Sequence, residues 1–500
     1  MGGLLLATIL KFVNRTVFIY VLGIEYLGIS ILFANILQVL AVTELGVDTA
    51  INFKLYKPIA ENDDKRVRCL VKFYRDAYRM IGLAILCLGL LLIPFLPVLI
   101  KDIERLYSLE INPVLIYLLY LAQSVSSYCF FSYRGCVVSA SQKEYKLTFI
   151  NYLMSLLSNV TQIAVLLLCH SFILYVGTVI IFNLLHNFLR ALVATRLFPQ
   201  YFIAEEEKLS RSEMGGMLKD CAALLIYKVN RVVLHSTDNI IISAFLGLAI
   251  VGLYSNYLLF YGVLRSFAIQ FYNAIRASMG NLFATENLET GYLVFETVNF
   301  LTILLYGTAC IGIGVLANDI IACWIGAQYV IPQPLAALSG IALLFAGLKS
   351  NLGQVRNVTG AFRQMWYRPL TGILINVIVS LILVQKIGIC GVLIGTILAD
   401  LLTNFMIDPA IIHRHSFKNI KPVSEYYKKN LAYLALLAIV GMADWMICQL
   451  VLPGNGVGSI VTHILICGMS VPMFFFAVYR KSEVCLYLLR RVRSMVAILK

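Results

Sequence analysis

Apolar residues fall along this chain in blocks of about 20, the number a helix needs to cross the core of a bilayer at ~1.5 Å per residue. About fourteen such blocks can be read: 2–22, 29–53, 77–100, 112–133, 147–169, 172–195, 221–245, 248–274, 293–317, 331–352, 366–385, 389–412, 430–451 and 458–479. The longest polar stretches, Lys54 to Arg75, Arg196 to Asp220 and His413 to Asn430, are loop-sized and hold at most an interfacial helix. The expected fold is an all-α polytopic membrane protein without a large soluble domain. Composition agrees, with 60% hydrophobic and 13% charged residues. No small-residue cleavage site follows the first block, which argues against a cleaved signal peptide.

Charge then orients the blocks. Of the 40 Lys and Arg residues, only Lys101, Arg105 and Lys386 fall in odd-numbered connections. Nearly all the others lie in or beside the even-numbered loops or the tail, so the positive-inside rule makes those loops and both termini cytoplasmic. The net charge of +14 is therefore mostly topology and contact with anionic headgroups, not a nucleic-acid footprint. Twelve cysteines are scattered with no CxxC and no His at metal spacing, so they read as small apolar residues, neither disulfides nor a metal site. His413 and His415 flank Arg414 at a helix end, where headgroup contact is expected.

The first block carries Lys11, Asn14 and Arg15 inside an apolar run. A cation in hydrocarbon is costly and usually faces a protein interior or a watery cavity. Lys11 and Arg15, four residues apart, share a helix face and make this helix a candidate wall of a path. The design recurs: FLGLAIVGLYSNYLLF from Phe245 repeats the frame of VLGIEYLGISILFANI from Val21, with Gly247 and Gly252 spaced as Gly23 and Gly28 are. The preceding block, Cys221 to Phe245, carries Lys228, Asn230, Arg231 and Asp238. Two halves in the same orientation are one way transporters build a central site. Aligned on Gly23 and Gly247, Arg15 and Asp238 lie at similar depth, ~12 to 14 Å from the outer end at ~1.5 Å per residue, a register in which they would pair across a lumen.

Glu44 and Asp48, in TELGVD, share a face and are candidates for a proton or cation site, or for pairing with nearby bases. After them Pro58 is expected to stop the helix, Asn62 or Asp63 to cap the next, and Lys65 to Arg79 to form an amphipathic helix on the inner leaflet. The next spans carry neutral polar residues: Gln123, Ser124, Asn151, Asn159, Gln162, Asn183, His186 and Asn187. Each suits a sugar hydroxyl or a neighbouring helix, and helix packing is favoured for any single one. Arg265, Arg276, Arg356, Arg363 and Arg368 read mostly as snorkelling anchors, with Asp400 neutralising one of them, and Asp444 is the only charge in the last two spans.

TELGVDTAINFKLYKPIAENDDKRV, KFYRDAYRMIG and LLLIPFLPVLI closely resemble the N-terminal half of bacterial polysaccharide-export flippases. These are the O-antigen and exopolysaccharide repeat-unit transporters of the multidrug/oligosaccharidyl-lipid/polysaccharide exporter superfamily. LFPQYF at Leu197, TDNIIISAFLGLAIVGLYSNY at Thr237, CWIGAQYVIP at Cys323 and GICGVLIGT at Gly388 continue the resemblance in order over most of the chain. One departure is that such proteins usually carry a polar, basic leader before the first span, which here begins at Met1.

The resemblance implies a bacterial inner-membrane flippase working by alternating access, commonly coupled to an ion gradient. Its substrate would be an undecaprenyl-diphosphate-linked oligosaccharide, and its partners membrane lipids, a polysaccharide polymerase and other assembly proteins. The expected division is a six-helix lobe at 1–196, a linker at 197–220, a second six-helix lobe at 221–412, two further spans at 413–480 and a basic cytoplasmic tail at 481–500. Lys11, Arg15, Lys228 and Arg231 would attract the diphosphate, and Asp238, Glu44 and Asp48 are the acids for coupling. A lipid II flippase, a multidrug exporter and a membrane polymerase or ligase are the alternatives. The exporter would call for acids to hold organic cations, and the enzyme for a large outward loop. No P-loop, HExxH, GxSxG or dinucleotide fingerprint is present, so neither catalysis nor a cofactor is expected.

Overall fold

The computed structural model describes residues 2–41, 47–101, 103–108, 112–203, 213, 215, 236–285, 287–359, 365, 367–451 and 456–499. Among them all regular structure is helical, with no strand. Among the described residues ten helices are long and apolar enough to cross a membrane, or eleven if the bent pair Pro113–Cys129 and Ser132–Ala140 is one span. The chain is thus an all-α, multi-pass membrane protein. It divides into two compact units, 1–252 and 253–500.

The first unit begins with α1 (Gly2–Leu22), α2 (Ile24–Leu40), α3 (Val47–Ala60) and α4 (Asp64–Leu92). Short helices α5 (Leu96–Leu99) and α6 (Ile103–Ser108) precede α7 (Pro113–Cys129), α8 (Gly135–Ala140), α9 (Tyr145–Cys169) and α10 (Phe172–Leu197). Helix α11 (residues 236–246) and the first turn of α12 (Leu248–Thr285) complete it. The expected span 29–53 falls on two helices, α2 and α3, and residues 42–46 between them lie outside the described ones.

Pro58 lies inside α3, which runs on to Ala60. Asp63 caps α4, its carboxylate accepting from the Arg66 backbone N–H at 3.0 Å, and Asn62 turns the chain at φ 55°. No separate surface helix ends at Arg79. Nothing in Arg79 to Leu92 breaks a helix, so α4 continues unbroken through 29 residues. Its apolar face, including Val67, Leu70, Val71, Tyr74 and Tyr78, is buried in the protein instead of lying on lipid.

The repeated glycines have two separate jobs. Gly23 and Gly247 both adopt φ 95°, the left-handed side that a side chain strains, and each lets one helix turn directly into the next. Gly28 and Gly252 allow a close helix crossing. A Cβ on Gly28 would sit 2.0 Å from the Leu248 carbonyl oxygen, and one on Gly252 would sit 2.4 Å from that of Ile24. Leu248 and Ile24 are themselves equivalent in the repeat, so the crossing is reciprocal.

The second unit contains the rest of α12, then α13 (Leu288–Trp324), α14 (Gln333–Thr359), α15 (Arg368–Ile387) and α16 (Ile389–Asp400). A π-helical turn, Leu401–Phe405, leads into α17 (Ile407–His415), followed by α18 (Val423–Leu450), α19 (Val457–Tyr479) and α20 (Glu483–Leu499). Helix α13 is its spine and packs on α14, α18, α19 and α20. Gly388 makes the α15–α16 turn at φ 63°, and Gly395 lets α16 lie against Ser380 and Asn376 of α15.

His413 departs from the expected headgroup contact. It is 1% exposed, and its Nδ1 is 2.8 Å from the Pro409 carbonyl oxygen. Its ring packs among Tyr292, Phe295, Phe417 and Tyr426. Burying five rings outweighs leaving one imidazole at the surface, since its polar atoms find partners inside.

Candidate functional site

Lys11 is exposed on α1 and Arg15 is half-buried one turn further on, with the Tyr175 ring of α10 as a neighbour. Between them Asn14 is buried and points into the bundle. Its amide donates to Asn159 Oδ1 at 3.0 Å and to Gln162 Oε1 at 2.6 Å, both on α9. Gln162 in turn donates to Ser158 Oγ at 2.9 Å, and Asn159 to the Ser155 carbonyl at 2.7 Å. Helix α1 thus has one face knitted to the bundle by amides and carries its two cations on neighbouring positions. Two further polar contacts join spans in the same way. Asn183 donates to Ser127 Oγ at 2.6 Å, and His186 Nε2 lies 2.8 Å from Asn151 Oδ1. Asn151, Asn159, Gln162, Asn183 and His186 thus take the packing role expected of such residues.

Asp238 is buried on α11, 7% exposed. That helix is tied to the rest of the first unit by Ser236 Oγ to Gln38 Oε1 at 3.4 Å and by Ser243 Oγ to the Leu99 carbonyl at 2.8 Å. Of the other expected site residues, Lys228, Arg231 and Glu44 lie outside the described residues, as does the side chain of Asp48.

One polar region escaped the reading of the sequence. At the end of the first unit carrying the α3–α4 turn and the 141–144 loop, a cavity of about 340 Å³ opens among α3, α4, α8 and α10. Tyr74, Tyr78, Ser139, Glu144, Asn187 and Arg190 line it, with Asn52, Ser132 and Gly135. Arg190 Nη2 meets Glu144 Oε1 at 3.4 Å, and Ser139 Oγ donates to Glu144 Oε2 at 2.5 Å. The available signal was Arg190 itself, a cation three residues beyond Asn187 in an apolar run.

The LFPQYF segment braces this end. Phe198 and Tyr201 stack at 5.7 Å, Lys143 lies 4.9 Å over the Phe198 ring, and Arg134 lies 5.1 Å over Phe202 while donating to Thr195 Oγ1 at 2.7 Å.

The second unit holds a fully buried ion pair. Arg368 pairs with Asp408, their side chains 4% and 3% exposed. Lys349 Nζ lies 3.4 Å from Asp400 Oδ1, and Lys429 Nζ lies 2.5 Å from Glu296 Oε1. Asp400, expected to neutralise an arginine, thus has a lysine, and the partner of Arg368 is an acid one helix further on. A π turn separates the two acids, and they meet different neighbours. Tyr427 Oη donates at 2.5 Å to the Met406 carbonyl just after that turn. Asp444 accepts from Ser470 Oγ at 2.6 Å.

No family model matches the chain, and no curated protein matches it. Solved structures do. A lipid II flippase, MurJ, in an inward closed conformation is 16% identical with a TM-score of 0.62, covering 96% of this chain and 98% of its own. An inward-facing multidrug resistance MATE family transporter of the MOP superfamily is 12% identical with a TM-score of 0.62, over 83% of this chain and 96% of its own. An outward-facing MATE family transporter is 13% identical with a TM-score of 0.51, over 83% and 96%. The fold is the one these membrane transporters share. Within that class, the likeness to the flippase runs over nearly the whole of both chains.

Proposed function

We propose that this protein is a flippase that moves an undecaprenyl-diphosphate-linked oligosaccharide from the cytoplasmic to the outer face of a bacterial inner membrane. The observation that carries the reading is the construction of α1, a 21-residue helix with Lys11 and Arg15 held beside an amide seam. A diphosphate carries roughly two negative charges, and cations in a low-dielectric path lower the cost of stripping its water. Lys228 and Arg231 extend the cationic path, and Asp238, Glu44 and Asp48 are the acids through which an ion gradient would couple. The lipid tail stays in the bilayer while the sugar crosses, with both termini on the cytoplasmic side. A polymerase acting on the product is the natural partner.

Two further points support this reading over a drug exporter. The motifs resemble polysaccharide-export flippases, and the likeness to the lipid II flippase covers 96% of this chain where that to the MATE transporter covers 83%. Reconstituted protein tests it. A fluorescent undecaprenyl-diphosphate oligosaccharide should become accessible on the far side of proteoliposomes, and lipid II should compete. Export of organic cations with no movement of the lipid would overturn the proposal in favour of the drug-exporter reading.

A further inference from the structure

We infer that the cavity within the first unit is a binding site for a single neutral sugar ring. This goes beyond the flippase reading, because it stands on the cavity's own chemistry and not on the cationic face of α1. At about 340 Å³ the cavity sits at the small end of the ~300–1,000 Å³ range of ligand pockets, room for one ring and not for a chain of them.

Its lining is almost wholly polar and electrically balanced. Arg190 and Glu144 face each other at 3.4 Å, and Ser139 holds the far oxygen of the carboxylate at 2.5 Å. An anion would meet a guanidinium already matched by a carboxylate, and a cation the reverse, so neither finds a net opposite charge there. A hydroxyl both donates and accepts. It can take a hydrogen bond from Arg190 or the Asn187 amide while giving one to Glu144, which is what a polyhydroxylated neutral ring offers around its rim. Tyr74 and Tyr78, their hydroxyls bonded at 2.8 Å, close the inner wall.

The site also has a fixed floor. A Cβ on Gly135 would lie 3.2 Å from Arg190 Nη2, so the guanidinium rests on bare backbone. A Cβ there would make it give by a few tenths of an ångström, and a larger side chain would take up space in the cavity.

Saturation-transfer NMR on the full-length protein in detergent tests the inference with glucose, galactose and N-acetylglucosamine, and with glucose 1-phosphate as the anionic counterpart. At least one neutral sugar should give a saturable signal, and the sugar phosphate should bind at least tenfold more weakly. Glu144→Gln, which keeps the shape, should weaken the neutral sugar several-fold and strengthen the phosphate by unbalancing Arg190. Gly135→Val should weaken both, with circular dichroism reporting that each variant is folded.

Saturable neutral binding that ignores both variants would put the sugar elsewhere and overturn the assignment. So would the absence of neutral binding, or a wild-type preference for the phosphate. Competition by a lipid-linked oligosaccharide would assign the ring to a lipid-borne substrate, and no competition would assign it to a soluble sugar. Neither result depends on transport, so failure here is separable from failure of the flippase proposal.

Discussion

Asn14 in the first unit and Arg368 in the second are both buried in apolar bundles, yet their surroundings differ in kind. Asn14 belongs to a chain of neutral amides that reaches Asn159, Gln162 and Ser158. Arg368 is matched by a full opposite charge, Asp408, and two more ion pairs, Lys349–Asp400 and Lys429–Glu296, lie in the same unit. A neutral amide deprived of one bond can turn toward another, whereas a buried charge deprived of its partner has nowhere to go. The contacts of the amide seam on α1 are therefore individually cheap, and the second unit has a seam of the same kind, Asn351 donating to Asn299 and Asn299 to Asn430. What the second unit adds is Arg368–Asp408, the one ion pair among the described residues with both side chains buried, and that contact is expensive to break.

The sharpest way to break this comparison is at Asp408. Asp408→Ala strands Arg368 and should cost about 3–5 kcal/mol, seen as a large fall in the thermal midpoint of the purified protein. Adding Arg368→Met should recover most of it. A single variant as stable as wild type would mean that the pair is not buried as described.

The reciprocal glycine crossing comes next. Gly28→Val and Gly252→Val each force a helix backbone to move and should cost about 1–3 kcal/mol or more, by similar amounts, because each glycine meets the carbonyl of an equivalent residue. A marked inequality in the two midpoints would contradict the symmetry.

Asn14→Leu should be milder, about 0.6 kcal/mol and at most ~1.7, the range for polar contacts between membrane helices. Should it destabilise as much as Asp408→Ala, the contrast between the two sites collapses. Of similar size is Arg134→Gln, which removes a cation from over Phe202 and a donor from Thr195 at a cost of about 0.5–1 kcal/mol and would loosen the LFPQYF bracing, read as faster proteolysis near residue 200.

Much of the fold could be read from the chain because apolar blocks of spanning length are a strong signal in any membrane helix. The Gly23 and Gly247 frames were also legible, since a glycine followed five residues later by another at two places is a pattern that distance along the chain does not blur. The continuity of α4 was not. Lys65 to Arg79 is amphipathic, and a helix with a polar face looks the same whether its apolar face meets lipid or, as here, Val67, Tyr74 and Tyr78 bury it in protein.

His413 escaped for a related reason. Its neighbours in sequence are Arg414 and His415, but its neighbours in space, Tyr292 and Tyr426, come from other helices. Pairings such as Arg368 with Asp408 depend on how far a π turn rotates the next helix, which spacing does not reveal. The cavity around Arg190 is assembled from four helices and a loop, so no stretch of sequence contains it.

The most direct test of the central claim is the rate at which proteoliposomes move a fluorescent undecaprenyl-diphosphate oligosaccharide with Arg15 intact, as Arg15→Ala and as Arg15→Lys, with Arg231→Ala beside them. A cationic path predicts that Arg15→Ala and Arg231→Ala lose at least tenfold in rate with unchanged thermal midpoints, and that Arg15→Lys keeps most of it. Transport at the wild-type rate by both alanine variants would contradict the account and make these charges anchors.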